Sequence, residues 1–195
     1  MSSENNPTRR KLLKSAWDLL ESGEPSRVRL GDIAKKAGVS RQALYLHFGS
    51  RAELLRATAR FIDEEQKVDA RLEPSRTAAS GRERLRIYCM FWAEYLPEIQ
   101  GVARAFMAME HDDEDAKAAW ADRMAALRHG CEAAVKALKT DGDLRAGLTI
   151  AKATDMLWTL MGVPNWQNLT QSCGWSQQDY ANWLVDSAER LLLAD

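Results

Sequence analysis

The stretch from Ile33 to Phe48, Ile-Ala-Lys-Lys-Ala-Gly-Val-Ser-Arg-Gln-Ala-Leu-Tyr-Leu-His-Phe, limits the fold more than any other part of the chain. Leu30, Ile33, Ala34 and Ala37 recur at helical intervals and give a short helix with one apolar stripe. Gly38 follows at once, and glycine reaches the left-handed conformation that ends a helix at little cost. Val39 fits the corner. Ser40 is a good N-cap, because its hydroxyl accepts a hydrogen bond from a free N–H of the next turn. Leu44 and Phe48, four residues apart, face inward on a second short helix. Two short helices joined by so tight a corner form a helix-turn-helix, a unit whose second helix fits the major groove of DNA.

The residues left on the other faces suit that groove. Arg41, Gln42, Tyr45 and His47 are polar or amphipathic donors. Gln42 can pair bidentately with adenine, Arg41 with guanine, and Ala43 can touch a thymine methyl. Tyr45, His47, Ser50 and Arg51 are expected to hold phosphates and set the register. The competing reading is an ordinary helical hairpin with a solvated face. Corner, cap and donors coincide, which favours DNA.

The segment from Arg10 to Leu55 resembles the DNA-binding domain of TetR-family transcriptional regulators. The matching residues are Ala16 and Leu20, Ile33-Ala34, Ala37-Gly38-Val39-Ser40, Leu44-Tyr45, His47-Phe48 and Ser50-Arg51-Ala52-Glu53-Leu54. The resemblance implies an all-α fold: a three-helix helix-turn-helix head over residues 8–54, with its motif at about 29–48, on a helical ligand-binding and dimerisation body over residues 55–195. It also implies a homodimer on double-stranded operator DNA. Three positions depart from the family pattern. Arg29, counted here among the DNA-facing residues, stands where a Ser or Thr cap is usual. Gln42 replaces a small residue or Pro, and Arg51 replaces Lys, which keeps the charge but changes its geometry.

Charge agrees with one end of the chain meeting nucleic acid. Residues 1–60 hold 12 Lys/Arg and 6 Asp/Glu, a net of +6; the remainder holds 15 and 22, a net of −7. A basic head on an acidic body is the footprint of a protein that meets a polyanion with one face. No run of about 18 apolar residues occurs, so no membrane span is expected. The polar start Met1-Ser-Ser-Glu-Asn-Asn-Pro7 lacks an apolar signal core, and a cytoplasmic location is expected. Cys89, Cys131 and Cys173 are far apart and read as buried small apolar residues of a reduced compartment. His111 beside Asp112-Asp113-Glu114-Asp115 is not read as a metal site, because acidic residues there favour the start of the next helix. No cofactor and no metal are expected.

Helical periodicity continues to the end. Expected helices run from about Thr8 to Glu21, broken at Gly23–Pro25, then from Ser50 to Leu72 after the capping box Ser50-Arg-Ala-Glu53. Residues 74–81 read as a loop. Further helices are expected from Arg82 to Leu96, from Pro97 onward, from Asp113 to Lys139 and from Ala146 to Met161. A short piece lies near Trp166–Ser172, and Ser176 caps a last helix to about Leu193. On that helix Tyr180, Trp183, Leu184, Ala188 and Leu191 form a broad apolar stripe. It packs either within its own chain or, as the resemblance favours, in a bundle formed by the last two long helices of each subunit.

The body is rich in aromatic residues. Trp92, Phe106, Trp120, Met124 and Trp158 are candidates for the pocket of an apolar or aromatic small-molecule effector, although a plain core has the same composition. The resulting reading is a ligand-responsive DNA-binding regulator, a repressor released from a palindromic operator by a small molecule. The alternatives are an activator or a helical adaptor with the same head, and a helical enzyme. The last lacks a nucleophile–base set, a phosphate loop or metal-ligand spacing.

Overall fold

Apolar stripes at helical spacing dominate the chain, and the computed structural model, which describes residues 6–22 and 28–194, is helical accordingly. The helices are α1 (Pro7–Glu21), α2 (Leu30–Ala37), α3 (Arg41–His47), α4 (Arg51–Glu65), α5 (Val68–Arg76), α6 (Gly81–Met109), α7 (Glu114–Asp141), α8 (Ile150–Leu160), α9 (Val163–Gln167) and α10 (Gln177–Leu192). A π-type turn at Asn168–Ser172 precedes α10. Among the described residues the only β-type pairing is a single bridge between Leu144 and Leu193. No helix among them is long and apolar enough to cross a membrane. The expected break at Gly23–Pro25 lies outside the described residues.

The chain forms two compact units that cut across its order. The first gathers residues 1–68 and 99–124, the second residues 69–98 and 125–195. Compactness is a different criterion from the functional division expected after residue 54.

The first unit is built on the head. Asn6 caps α1 by accepting from the N–H groups of Thr8 and Arg9, and Pro7 sits at the first position, where its missing donor costs nothing. Leu12, Leu13, Ala16 and Leu20 of α1 are buried with Ile33 and Ala34 of α2, Leu44 of α3, Phe48, and Leu54 and Leu55 of α4. Each such leucine contributes about 1.5–3 kcal/mol of apolar burial. The Arg9 guanidinium lies 4.3 Å from the Phe48 ring centre and donates to the His47 carbonyl at 3.0 Å, so α1 closes over the end of α3.

Four expectations about the helices are corrected. The helix expected from Ser50 to Leu72 is two helices. Gln66 and Lys67 turn the chain, with Lys67 at φ 54°, a conformation unusual for a residue with a Cβ. The apolar stripe of α4 ends at Ile62, and Asp63 to Lys67 have no apolar side chain to hold a further turn. Second, Pro74 lies inside α5, so the loop starts after Arg76. Third, Pro97 starts no new helix and lies inside the continuous α6. Its missing N–H leaves the Ala93 carbonyl without a ladder donor. The side-chain amide of Gln177 donates to that carbonyl at 2.6 Å, while its oxygen accepts from the Trp166 indole at 2.9 Å. Fourth, residues 146–149 are not helical. Gly147 is left-handed at φ 81°, and α8 starts only after Thr149, whose side chain accepts from the Lys152 N–H. Asp113 caps the expected helix α7, accepting from the Ala116 N–H at 3.0 Å. Ser176 caps α10, as the sequence predicts, and Asp179 is its reciprocal partner.

Backbones approach closely in the second unit. A Cβ on Gly81 would lie 2.5 Å from the Leu138 nitrogen, and one on Gly130 would collide with the Tyr88 hydroxyl. Cys89 and Cys131 are buried as expected, and burial pushes the Cys131 thiol up to about 12. Cys173 is exposed, contrary to expectation, because it follows the polar π-type turn rather than an apolar stripe.

Candidate nucleic-acid interface

The helix-turn-helix has the local chemistry the sequence requires. Gly38 ends α2 at φ 68°, the Val39 N–H reaches back to the Ala34 carbonyl at 3.0 Å, and the Gly38 N–H to that of Lys35 at 3.2 Å. This pair of bonds closes the helix end and fixes the corner. Val39 packs partly buried against the head core. Ser40 caps α3, accepting from the Ala43 N–H at 3.0 Å. Ser50 caps α4, accepting from the Glu53 N–H at 3.1 Å. The Glu53 carboxylate accepts from Gly49 at 2.8 Å rather than from Ser50, so the expected box closes one residue earlier.

These bonds present one face of α3 to solvent. Leu44 and Phe48 are fully buried, whereas Arg41, Gln42 and Tyr45 are exposed and Ala43 and His47 are partly so. Ser40 is exposed at the N-cap of α3, Ser50 at the N-cap of α4, and Arg29 at the N-cap of α2, where it makes no side-chain capping bond. The structure thus places eight of the nine residues expected to face DNA where a ligand can reach them at least in part.

Arg51 is the exception. Its side chain is only 19% exposed. The guanidinium donates to the Val28 carbonyl at 3.0 Å through Nε and to the Asp113 carboxylate at 2.7 Å through Nη1. Asp115 lies 3.7 Å away. Burial alone raises the Asp113 carboxyl, but the bonds from Arg51 and from the Ala116 N–H outweigh it and hold the group below the usual range. The expectation that this side chain holds a phosphate is corrected: it is engaged within the first unit. The forked guanidinium makes both bonds at once, which a single ammonium point charge does not match in geometry.

Leu46 was not singled out by sequence reasoning. It is 81% exposed on α3, against 51% for its neighbour Tyr45. The signal was its position one helical turn after Gln42.

The other expected sites divide differently. Phe106 and Trp120 stack at 6.1 Å in the first unit, which also contains Met124. Trp92 and Trp158 belong to the second, where the Trp92 indole donates to the Met161 carbonyl at 2.6 Å. Of the expected dimer stripe, Tyr180, Leu184 and Ala188 are buried within their own chain. This corrects their assignment: α10 turns that half of its broad stripe onto its own unit. Trp183 and Leu191 remain partly exposed and line an open groove of about 550 Å³ with Asp155, Met156, Thr159, Leu160 and Asn165. Among the described residues no three His, Cys, Asp or Glu side chains cluster as a metal site requires.

Residues 12–58 match the family model for bacterial regulatory proteins of the tetR family. Over 64 residues the chain is 38% identical to a nucleoid occlusion factor, SlmA, from Marinomonas sp. (strain MWYL1), a match that covers 33% of this chain and 32% of that one. The chain therefore spans about a third of the length of that relative. The whole fold is similar to a TetR-family transcriptional regulator from Rhodococcus sp., with TM-score 0.76 and 21% identity over 97% of this chain and 100% of the other. A transcriptional regulator from Saccharomonospora viridis in complex with choline gives TM-score 0.73 and 21% identity over 96% and 98%. NalD, the secondary repressor of the MexAB-OprM multidrug efflux pump in Pseudomonas aeruginosa, gives 0.66 and 24% over 96% and 97%. Residues 12–58 thus match the tetR-family helix-turn-helix domain, and the chain as a whole shares the all-helical fold of these solved regulators.

Proposed function

We propose that the protein is a ligand-responsive transcriptional repressor that binds a palindromic operator as a homodimer. The observation that carries the DNA reading is the outward face of α3. Arg41, Gln42 and Tyr45 are exposed on a helix whose opposite side is locked into the core by Leu44 and Phe48. Arg41 and Gln42 read base edges, and Tyr45, His47, Ser50 and Arg29 hold phosphates. The first-turn N–H groups of α4 add to the phosphate contacts. No catalytic step is part of this reading, and the protein acts in the cytoplasm, where the DNA is.

Dimerisation is supported by the groove along α8 and α10. Met156, Leu160, Trp183 and Leu191 leave apolar surface partly in water, which a second copy covers. A two-fold axis then matches the symmetry of a palindromic site. The choline-bound Saccharomonospora regulator and the repressor NalD support a small-molecule effector and the repressing direction through their shared fold. For this chain the effector is an apolar or aromatic small molecule. The ligand acts only through its different affinity for the free and operator-bound states.

The test is selection of bound fragments from the source genome, followed by a reporter placed under the recovered site. Recovery of a palindrome whose reporter rises when the protein is removed supports the proposal. A reporter that falls identifies an activator. A second reading, a nucleoid occlusion factor, is favoured by the name of the curated relative matched over the head. It predicts many sites spread along the chromosome instead of a few beside promoters.

A further inference from the structure

Leu46 is the most exposed of the large apolar side chains among the described residues. Around α3, at about 100° per residue, Leu44 and Phe48 point to the core, and the line opposite them runs between Gln42 and Leu46. Leu46 therefore stands at the centre of the outward face, not at its rim. Its exposed neighbours Arg41, Gln42 and Tyr45 are hydrogen-bonding residues, and residues 1–60, which carry them, have a net charge of +6. A protein partner needs a contiguous apolar patch, and one leucine among donors does not supply it. A polyanion with an isolated apolar group fits better. The major groove of DNA has such a group, the C5 methyl of thymine.

We infer that Leu46 is a specificity-determining residue that reads a thymine methyl, resting on the DNA-binding reading above. The base lies within about two base pairs of the one met by Gln42, since one helical turn advances the contact by about 5.4 Å. Gln42 then sets an adenine and Leu46 a nearby thymine in each half-site.

The experiment starts from duplexes selected by the full-length protein out of a random library. Each thymine of the preferred duplex is replaced in turn by deoxyuridine, which lacks only the methyl. Dissociation constants are read by fluorescence anisotropy for the native protein and for Leu46→Ala and Ala43→Gly. The expected result is one position per half-site at which deoxyuridine weakens the native protein about fourfold, the worth of one buried methyl. Leu46→Ala binds thymine and deoxyuridine duplexes alike there, with an unchanged salt slope. A methyl effect that survives Leu46→Ala overturns the inference, as does one abolished by Ala43→Gly alone. Because Leu46 touches no core, circular dichroism and melting of Leu46→Ala should match the native protein. If no duplex is enriched, the DNA-binding reading itself fails and the inference falls with it. Enrichment without any methyl-sensitive position overturns the inference alone.

Discussion

The Arg51 guanidinium meets the Asp113 carboxylate at 2.7 Å and thereby ties the first turn of α4 to the cap of α7. The same carboxylate oxygen accepts from the Ala116 N–H that starts α7. One side chain thus closes a helix end and holds a cation from the head. Arg51→Ala should lower stability by about 1–3 kcal/mol, since it leaves a half-buried carboxylate without its partner. It should leave the salt slope of DNA binding unchanged. Urea melts and the dependence of log Kd on log salt check both parts. A slope lower by about one would return Arg51 to the phosphates.

The lowered Asp113 carboxyl sets a pH dependence. A group whose folded pKa lies below its unfolded value stabilises the fold above the unfolded value, about 3.9. That contribution is lost as pH falls through the folded value. Asp113→Asn should therefore be less stable than the native protein near neutrality, and the gap should narrow as the pH falls below the unfolded value of about 3.9. Melting temperatures of the two proteins across that range are the readout.

Gln177 repairs the helix that Pro97 interrupts. Gln177→Leu should cost about 1–3 kcal/mol by orphaning the Ala93 carbonyl and the Trp166 indole N–H. Pro97→Ala restores a backbone donor to Ala93, so part of that cost should vanish in the double variant. A double-mutant cycle in urea shows whether the two changes couple.

The glycines at close approaches should resist any side chain. Gly81→Ala should destabilise by about 1–3 kcal/mol, because its methyl meets the α7 backbone at Leu138, which cannot swing aside. Gly142→Ala should be milder in packing terms, since nothing lies within 4 Å there, and its cost comes from the left-handed φ of 80°. Thermal melts of the two variants separate collision from backbone strain.

The two halves of the α10 stripe should fail differently. Leu184 is fully buried, and Leu184→Glu should unfold the chain. Leu191 is half-buried beside the open groove, and Leu191→Glu should leave helicity intact while separating the subunits. Sedimentation together with circular dichroism distinguishes these outcomes.

The head was legible because its signals are local. Gly38 at a left-handed corner, Ser40 and Ser50 at caps and the inward pair Leu44 and Phe48 each act within one helical turn. What escaped depends on distant partners. Pro97 reads as a helix start until Gln177, far along the chain, supplies the missing donor to Ala93. Arg51 reads as a phosphate ligand until Asp113 is found beside it. The stripe on α10 was visible, but periodicity cannot say which half faces its own unit and which faces water. The turn at Lys67 has no glycine to announce it. Leu46 was passed over because an apolar residue on a helix is first taken for core.

Whether the outward face of α3 reads DNA, as proposed, is decided by the salt-dependent affinity of the full-length protein for its selected duplex. The expected result is a palindromic site and a steep linear fall of log affinity with log salt. Gln42→Ala should relax one base position per half-site, at about 1–3 kcal/mol for the preferred base, without loss of stability. Binding that is indifferent to sequence, or a Gln42→Ala protein with the same base preferences as the native one, would contradict it.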